Sequence, residues 1–170
     1  LNDLRLAINV SPAQLLASDF LDTLLSILDR HEVSPNSITI EITEEVAFRN
    51  LDRNITILEQ ARALGITIAL DDFGTGYSSL SMLDTLPLDK LKIDQSFVQK
   101  SDNSEQSKRI LLAAIKLAKQ LGLESCVEGI ETQEFAARVA VLGADHIQGY
   151  WLGRPALVRD VKREQLKLVS

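Results

Sequence analysis

Residues 66–79 read Ile-Thr-Ile-Ala-Leu-Asp-Asp-Phe-Gly-Thr-Gly-Tyr-Ser-Ser, an apolar run followed by two acidic residues and a glycine-containing loop. A short apolar run of this kind is typical of a strand buried on both faces, as in a parallel sheet. Asp71 and Asp72 then fall at the carboxyl end of that strand, where α/β barrels and open sheets both bind their ligands. The stretch therefore predicts a parallel α/β fold with an acidic site at a strand end.

The same pattern extends in both directions along the chain. Further strands are predicted at residues 4–10, 37–42, 88–93, 123–127 and 144–147. Helices are predicted near residues 20–28 and 51–64, before Thr85, between residues 104 and 121, at 132–142, and finally at about 158–168. Strands that alternate with helices imply a parallel sheet covered by helices.

Two architectures fit this alternation, a (β/α)8 barrel and a doubly wound open sheet. No strand is followed by the G-x-G-x-x-G fingerprint, which weakens the dinucleotide-binding form of the open sheet but leaves other open sheets possible. The sequence shows no linker and no low-complexity segment. We expect a single domain over residues 1–170.

Composition and charge narrow the class of function. The 170 residues carry a net charge of −6, which argues against binding of duplex nucleic acid, since that requires a basic face. No run is long and apolar enough to span a bilayer, and the first residues do not resemble a signal peptide. Cys126 is the single cysteine, as in proteins of reducing compartments. We therefore expect a cytoplasmic domain, whose parent protein could still be membrane-anchored.

Unusual polar residues fall at the carboxyl ends of all six predicted strands. They are Asn9, Glu41, Asp71 with Asp72, Lys92, Glu128 and Gln148. Carboxylate and amide oxygens are hard ligands that suit Mg²⁺ or Mn²⁺, and adjacent carboxylates could bridge two ions. Two such ions can clamp the oxygens of a phosphodiester displacement, and a lysine can add a fixed positive charge.

The structural alternative is that each of these residues is a helix cap or a turn residue. A single acidic residue at a strand end usually has that role, and a lone lysine is usually a solvated side chain. Six strands with suitable polar ends are hard to explain by capping alone. The set therefore favours a functional site.

The loop Asp71 to Leu80, DDFGTGYSSL, resembles the EAL family of cyclic di-GMP phosphodiesterases. The resemblance runs from Leu4 to about Pro155 and keeps the family's order and spacing. Its other segments are Asn9-Val10-Ser11, Glu41-Ile42-Thr43-Glu44, Leu91-Lys92-Ile93-Asp94, Glu128-Gly129-Ile130-Glu131-Thr132, Gln148-Gly149-Tyr150 and Gly153-Arg154-Pro155.

The resemblance implies a TIM-like (β/α)8 barrel that hydrolyses cyclic di-GMP to the linear dinucleotide pGpG in bacterial signalling, with Mg²⁺ or Mn²⁺ in a two-metal site. It implies that Asn9, Glu41 and Asp71 hold one metal, and that Asp71, Asp72 and Glu128 hold the other. Lys92 would hydrogen-bond the catalytic water, Gln148 would lie at the water and metal site, and Glu131 would steady the loop from Asp72 to Ser79. Asp72, Tyr150 and Arg154 are the candidates for substrate binding.

The sequence departs from the family at one point. The family's Glu-x-Leu segment, whose glutamate is a metal ligand, belongs to an early strand, and no such segment stands before residue 4. About six β/α units are found where a barrel has eight in about 250 residues. We expect a domain that lacks its first part and that by itself hydrolyses cyclic di-GMP poorly or not at all. Its open sheet edges should lead to a homodimer or to strand exchange.

Two other functions compete with the enzyme. One is a cyclic di-GMP receptor or regulatory module without turnover, and the other is a protein-interaction domain that uses the barrel as a frame. Either would be marked by lost metal ligands, whereas the inspected metal and lysine positions carry the residues of the active type. This favours an enzyme as the parent, while the missing Glu-x-Leu glutamate leaves the activity of this chain by itself open.

Overall fold

The computed structural model describes residues 4–75, 83–101 and 104–157. The chain divides into two compact units, Leu1–Leu91 and Lys92–Ser170, which are described separately.

The first unit contains three parallel strands with helices between them. The strands are β1 (Leu6–Asn9), β2 (Ile38–Thr43) and β3 (Thr67–Phe73), and the fourth strand, β4 (Lys90–Ile93), begins here. The helices are α1 (Pro12–Leu15), α2 (Phe20–Arg30), α3 (Glu44–Phe48) and α4 (Leu51–Ala63), with a 3₁₀ turn at Pro35–Ser37.

The order of these strands in space follows their order in the chain. β1 pairs with β2 and β2 with β3, all parallel. Asp89 N–H donates to the carbonyl oxygen of Ile68 at 2.9 Å, so the chain enters β4 beside β3. The central strands are the most apolar, with Ile40, Ile68 and Leu70 wholly buried. Their burial on both faces is what the apolar run at 66–70 predicts.

The second unit contains the end of β4, followed by β5 (Glu124–Val127) and β6 (His146–Ile147). Its helices are α5 (Gln95–Ser101), α6 (Glu105–Gln120) and α7 (Gln133–Val141). β5 and β6 are parallel, with Val127 opposite Ile147. Ser104 caps α6 and Thr132 caps α7 through their hydroxyl oxygens, as Ser and Thr do at helix starts.

In each unit, an aspartate just before one strand accepts a hydrogen bond from a backbone N–H near the start of the preceding strand. In the first unit, Asp89 Oδ2 accepts from Ile68 N–H at 2.9 Å. In the second, Asp145 Oδ2 accepts from Ser125 N–H at 2.8 Å. These bonds satisfy backbone donors at the amino-terminal edge of the sheet, opposite the edge that carries the predicted site residues.

The six predicted strands and the helices near residues 20–28, 51–64, 104–121 and 132–142 are confirmed, with ends shifted by a few residues. Three short helices that directly follow strands, α1, α3 and α5, were not predicted. The predicted helix at 158–168, and all but the end of the one before Thr85, lie outside the described residues. None of the described helices is long and apolar enough to cross a membrane.

Candidate metal and catalytic site

The first unit brings three predicted metal ligands to the ends of neighbouring strands. Asn9 is the last residue of β1 and lies opposite Glu41 of β2. Asp71 of β3 lies opposite Thr43, two residues beyond Glu41. Glu41 and Asp71 are each only 9% exposed, whereas Asn9 is exposed. Buried carboxylates are costly unless hydrogen bonds or cations compensate them, so their placement together suits a cation site.

Asp72 stands in a left-handed backbone conformation, with φ of +55°. Aspartate tolerates this region better than most residues with a Cβ, because its short polar side chain can bond locally. The Asp72 N–H donates to Asp71 Oδ1 at 3.0 Å, and the Asp72 carbonyl accepts from the Thr75 hydroxyl at 2.9 Å. Local hydrogen bonds to Asp71 and Thr75 therefore fix the backbone of Asp72 near the end of β3.

Glu44 is a residue that the sequence reasoning did not assign to the site. Thr43 caps α3, and Glu44 begins that helix with 5% exposure. Its Oε1 accepts from Gly74 N–H at 2.8 Å, while its Oε2 is buried without a hydrogen-bond partner among the described residues. The signal available was the second acid in Glu41-Ile42-Thr43-Glu44, which stands at a strand end like the other site residues.

The loop-steadying role assigned to Glu131 stays a prediction. Glu131 is exposed and belongs to the second unit, and residues 76–79 of the loop lie outside the described residues. Within the first unit it is Glu44 that holds the described start of this loop.

The second unit joins Lys92 and Glu128 in a buried ion pair. Lys92 Nζ lies 2.8 Å from Glu128 Oε1, and the side chains are 5% and 16% exposed. Glu128 N–H also donates to the carbonyl of Ile93 at 3.1 Å, which fixes the backbone of Glu128 beside the end of β4. Gly129 follows with φ of +73° and with Gln95 so close that a Cβ would lie 2.4 Å from Gln95 Cβ. A charged pair is thus held at the ends of β4 and β5.

The remaining predicted residues follow β6. Gln148 N–H donates to the carbonyl of Val127 at 2.9 Å, and the Gln148 side chain is exposed. The guanidinium of Arg154 lies 4.4 Å from the ring centre of Tyr150, a cation–π contact on an exposed face. The structure therefore places Tyr150 and Arg154, two of the three candidates for substrate binding, together in the segment that follows β6.

The donor types fit a hard divalent cation. The first unit offers carboxylate oxygens from Glu41, Asp71 and Asp72 and an amide oxygen from Asn9, and the second offers the Glu128 carboxylate. Oxygen-only sets of this kind select Mg²⁺, Mn²⁺ or Ca²⁺ over softer metals. His31 and His146 add nothing to the set, because His31 is the C-cap of α2 and His146 is paired with Glu124.

Comparison with known proteins gives a consistent family. The model of the EAL domain family matches residues 1–155. The chain is 40% identical, over 90% of its length and 22% of the relative's, to the bifunctional diguanylate cyclase/cyclic di-GMP phosphodiesterase MucR of Pseudomonas aeruginosa. It is 36% identical to the cyclic di-GMP phosphodiesterase NbdA of the same organism, over 89% of this chain and 19% of the relative.

Solved structures agree with the sequence comparison. The PaMucR phosphodiesterase in its c-di-GMP complex superimposes with a TM-score of 0.87 at 37% identity, covering 92% of this chain and 64% of that one. BlrP1 of Klebsiella pneumoniae, in a manganese and cy-diGMP complex, superimposes with a TM-score of 0.82 at 31% identity. The match covers 89% of this chain and 39% of that one. The α/β fold class of the EAL barrel is thereby confirmed. The chain spans about a fifth of the length of these two curated relatives.

Proposed function

This chain belongs to the EAL domain family, and from that membership we propose that it serves the metal-dependent hydrolysis of cyclic di-GMP to its linear dinucleotide. The observation that carries the proposal is the set of oxygen ligands at neighbouring strand ends, with Glu41 and Asp71 buried. The relatives named as cyclic di-GMP phosphodiesterases, and the c-di-GMP in solved structures of this fold, support it.

We propose that Asn9, Glu41 and Asp71 hold one divalent ion, and that Asp71, Asp72 and Glu128 hold a second. Bound metal would supply Lewis-acid charge that stabilises the negative charge developing on the phosphate. Mg²⁺ or Mn²⁺ is proposed as the physiological ion, in keeping with the manganese in a structural relative.

The chain's own residues orient the reacting groups. Lys92 keeps a positive charge at the end of β4, where its ammonium can donate to the attacking water or to a phosphate oxygen. Its ion pair with Glu128 restricts where that ammonium can lie. Gln148 and Glu131 are proposed to complete the water site and its loop, and Tyr150 with Arg154 to contact a guanine base or its phosphate.

The receptor without turnover finds no support among the described residues. Each metal position that the sequence analysis named carries an oxygen ligand, and the lysine position carries lysine. The enzyme hypothesis therefore stands as the proposed function.

The first test is calorimetric titration of cyclic di-GMP into the chain with Ca²⁺, which suppresses turnover, followed by hydrolysis assays in Mg²⁺ or Mn²⁺. We expect binding of cyclic di-GMP that depends on the divalent ion, and hydrolysis in Mg²⁺ or Mn²⁺. Lys92→Met should abolish the turnover, and Lys116→Met on the exposed face of α6 serves as the matched control. Absence of binding with any divalent ion would contradict the proposal.

We also propose that the chain forms a homodimer in the cytoplasm. β1 lies at one edge of its sheet with Leu6 exposed, and exposed strand edges tend to pair with another chain. A single mass corresponding to the monomer, measured by light scattering at high concentration, would contradict the dimer.

A further inference from the structure

The loops that follow β5 and β6 are joined through the backbone of one residue, Ile130. Its N–H donates to the carbonyl of Gln148 at 3.0 Å, and its carbonyl accepts from Trp151 N–H at 3.0 Å. The Ile130 side chain is fully buried and anchors this contact in the core of the second unit. The two hydrogen bonds form a clasp, defined here as the backbone of Ile130 held between Gln148 and Trp151.

Gly149 lies inside this clasp, between the two residues that bond Ile130. A Cβ at position 149 would stand 2.2 Å from the Ile130 carbonyl oxygen, 2.3 Å from its nitrogen and 2.7 Å from its carbonyl carbon. All three atoms belong to the backbone, so no side-chain rotation can relieve the overlap. Ordinary contact would require one loop to move by roughly 1 Å.

The need for glycine here comes from close approach and not from backbone conformation. Gly149 does not have a positive φ, unlike Gly129 and Gly143. Gly153, four residues later in the same loop, also lacks a positive φ, and a Cβ there would meet nothing within 4 Å. Gly153 therefore offers a control in the same loop, at which an added Cβ would overlap no other atom.

The clasp lies close to two of the proposed site residues, Glu128 at the end of β5 and Gln148 at the end of β6. Glu128 precedes Ile130 by two residues and forms the ion pair with Lys92. Gln148 is itself a member of the clasp, and its N–H bonds to Val127. A movement of the clasp would shift Glu128 and Gln148 together, while helix α6 would keep its packing.

We propose that Gly149 is a positioning residue, which lets the backbone clasp at Ile130 hold Glu128 and Gln148 in the geometry that metal binding requires. The part of the proposal that concerns metal binding rests on the proposed function. The clasp itself follows from the hydrogen bonds and close contacts of the fold. Groups that orient metal ligands commonly affect metal affinity 10- to 100-fold when removed.

The test compares Gly149→Ala with Gly153→Ala in the full chain by amide hydrogen exchange and by calorimetric titration of Ca²⁺ alone. For Gly149→Ala we expect faster exchange at both 128–132 and 148–152, unchanged exchange in α6, and Ca²⁺ binding weakened at least tenfold. Gly153→Ala should resemble the wild type in all three. Unchanged exchange and unchanged Ca²⁺ affinity in Gly149→Ala would overturn the proposal.

Two further outcomes are separable. If the wild-type chain binds no Ca²⁺, the proposed function fails, while the exchange of the two loops still decides whether the clasp exists. If Gly149→Ala does not fold, the exchange rates of the wild-type chain test the clasp instead. The Ile130 and Trp151 amides donate its two hydrogen bonds, so both must be protected from exchange. Exchange of these amides at the rate of an open loop would then overturn the proposal.

Discussion

The carboxylate of Glu44 accepts a hydrogen bond of 2.8 Å from the backbone N–H of Gly74, thirty residues further along the chain. Glu44 begins α3 directly after β2, and Gly74, with φ of +94°, stands two residues after Asp72. The bond ties the end of β2 to the turn after β3. A side chain outside the proposed ligand set therefore fixes the backbone that carries Asp72.

Replacement of Glu44 by alanine should destabilise this turn. Gly74 N–H would lose its acceptor, at a cost of roughly 1–3 kcal/mol in the free energy of unfolding. Glu44→Gln also removes the charge at the start of α3, but it keeps an oxygen that can accept from Gly74 N–H. Its loss in the free energy of unfolding should therefore be less than half that of Glu44→Ala. Urea unfolding measures both variants. Equal losses would show that the helix charge matters and that the bond to Gly74 does not.

Asp145 should make a contribution to stability that depends on pH. The hydrogen bond from the backbone N–H of Ser125 holds the pKa of Asp145 below its usual value of 3.8. A carboxylate with a depressed folded-state pKa stabilises the fold above its unfolded pKa, and this stability is lost as pH falls through the folded pKa.

Asp145→Asn should therefore lower the free energy of unfolding by about 1 kcal/mol at neutral pH, a modest figure because Asp145 is exposed and its charge is screened. The difference from the wild type should shrink as pH falls below about 4. Urea midpoints at several pH values test this, with Asp29→Asn on the exposed face of α2 as the control. A difference that persists unchanged at acid pH would contradict the role of the charge.

The strands and the long helices could be predicted because burial in the core determines the spacing of their apolar residues. Ile66 to Leu70 read as a buried strand, and Ile68 and Leu70 are indeed wholly buried. The placement of Asn9, Glu41 and Glu128 at strand ends followed from the same reading, since a strand's last residues point to the ligand edge in any parallel sheet.

The contacts that orient these residues could not be predicted in the same way. The short helices α1 and α3 span four and five residues, too few for a helical period to show in the sequence. Because α3 was not predicted, the sequence did not indicate that the Glu44 side chain accepts a hydrogen bond from Gly74. The clasp at Ile130 is made by backbone atoms, which carry no residue-specific signal apart from the glycine at 149.

Divalent ions should stabilise the chain if the proposed ligands bind them. At a concentration 100-fold above the dissociation constant, a bound ion would add about 2.7 kcal/mol to the free energy of unfolding. Asp71→Asn should remove most of the gain produced by Mn²⁺, and Asp29→Asn should leave it intact. Thermal unfolding with Mn²⁺ or with a chelator measures the effect. A gain retained in Asp71→Asn would place the ion elsewhere.

The ion pair between Lys92 and Glu128 should show strong energetic coupling, because its two side chains are 5% and 16% exposed. Removal of one partner leaves the other charge buried, so Lys92→Met and Glu128→Gln should each cost about 3 kcal/mol, and the double variant much less than their sum. Arg49 and Glu45 offer a control pair at the same distance of 2.8 Å but with 59% and 74% exposure. Its coupling should be about 0.5 kcal/mol or less. Double-mutant cycles in chelator-containing buffer measure both, and equal coupling in the two pairs would show that burial adds nothing to the pair at the site.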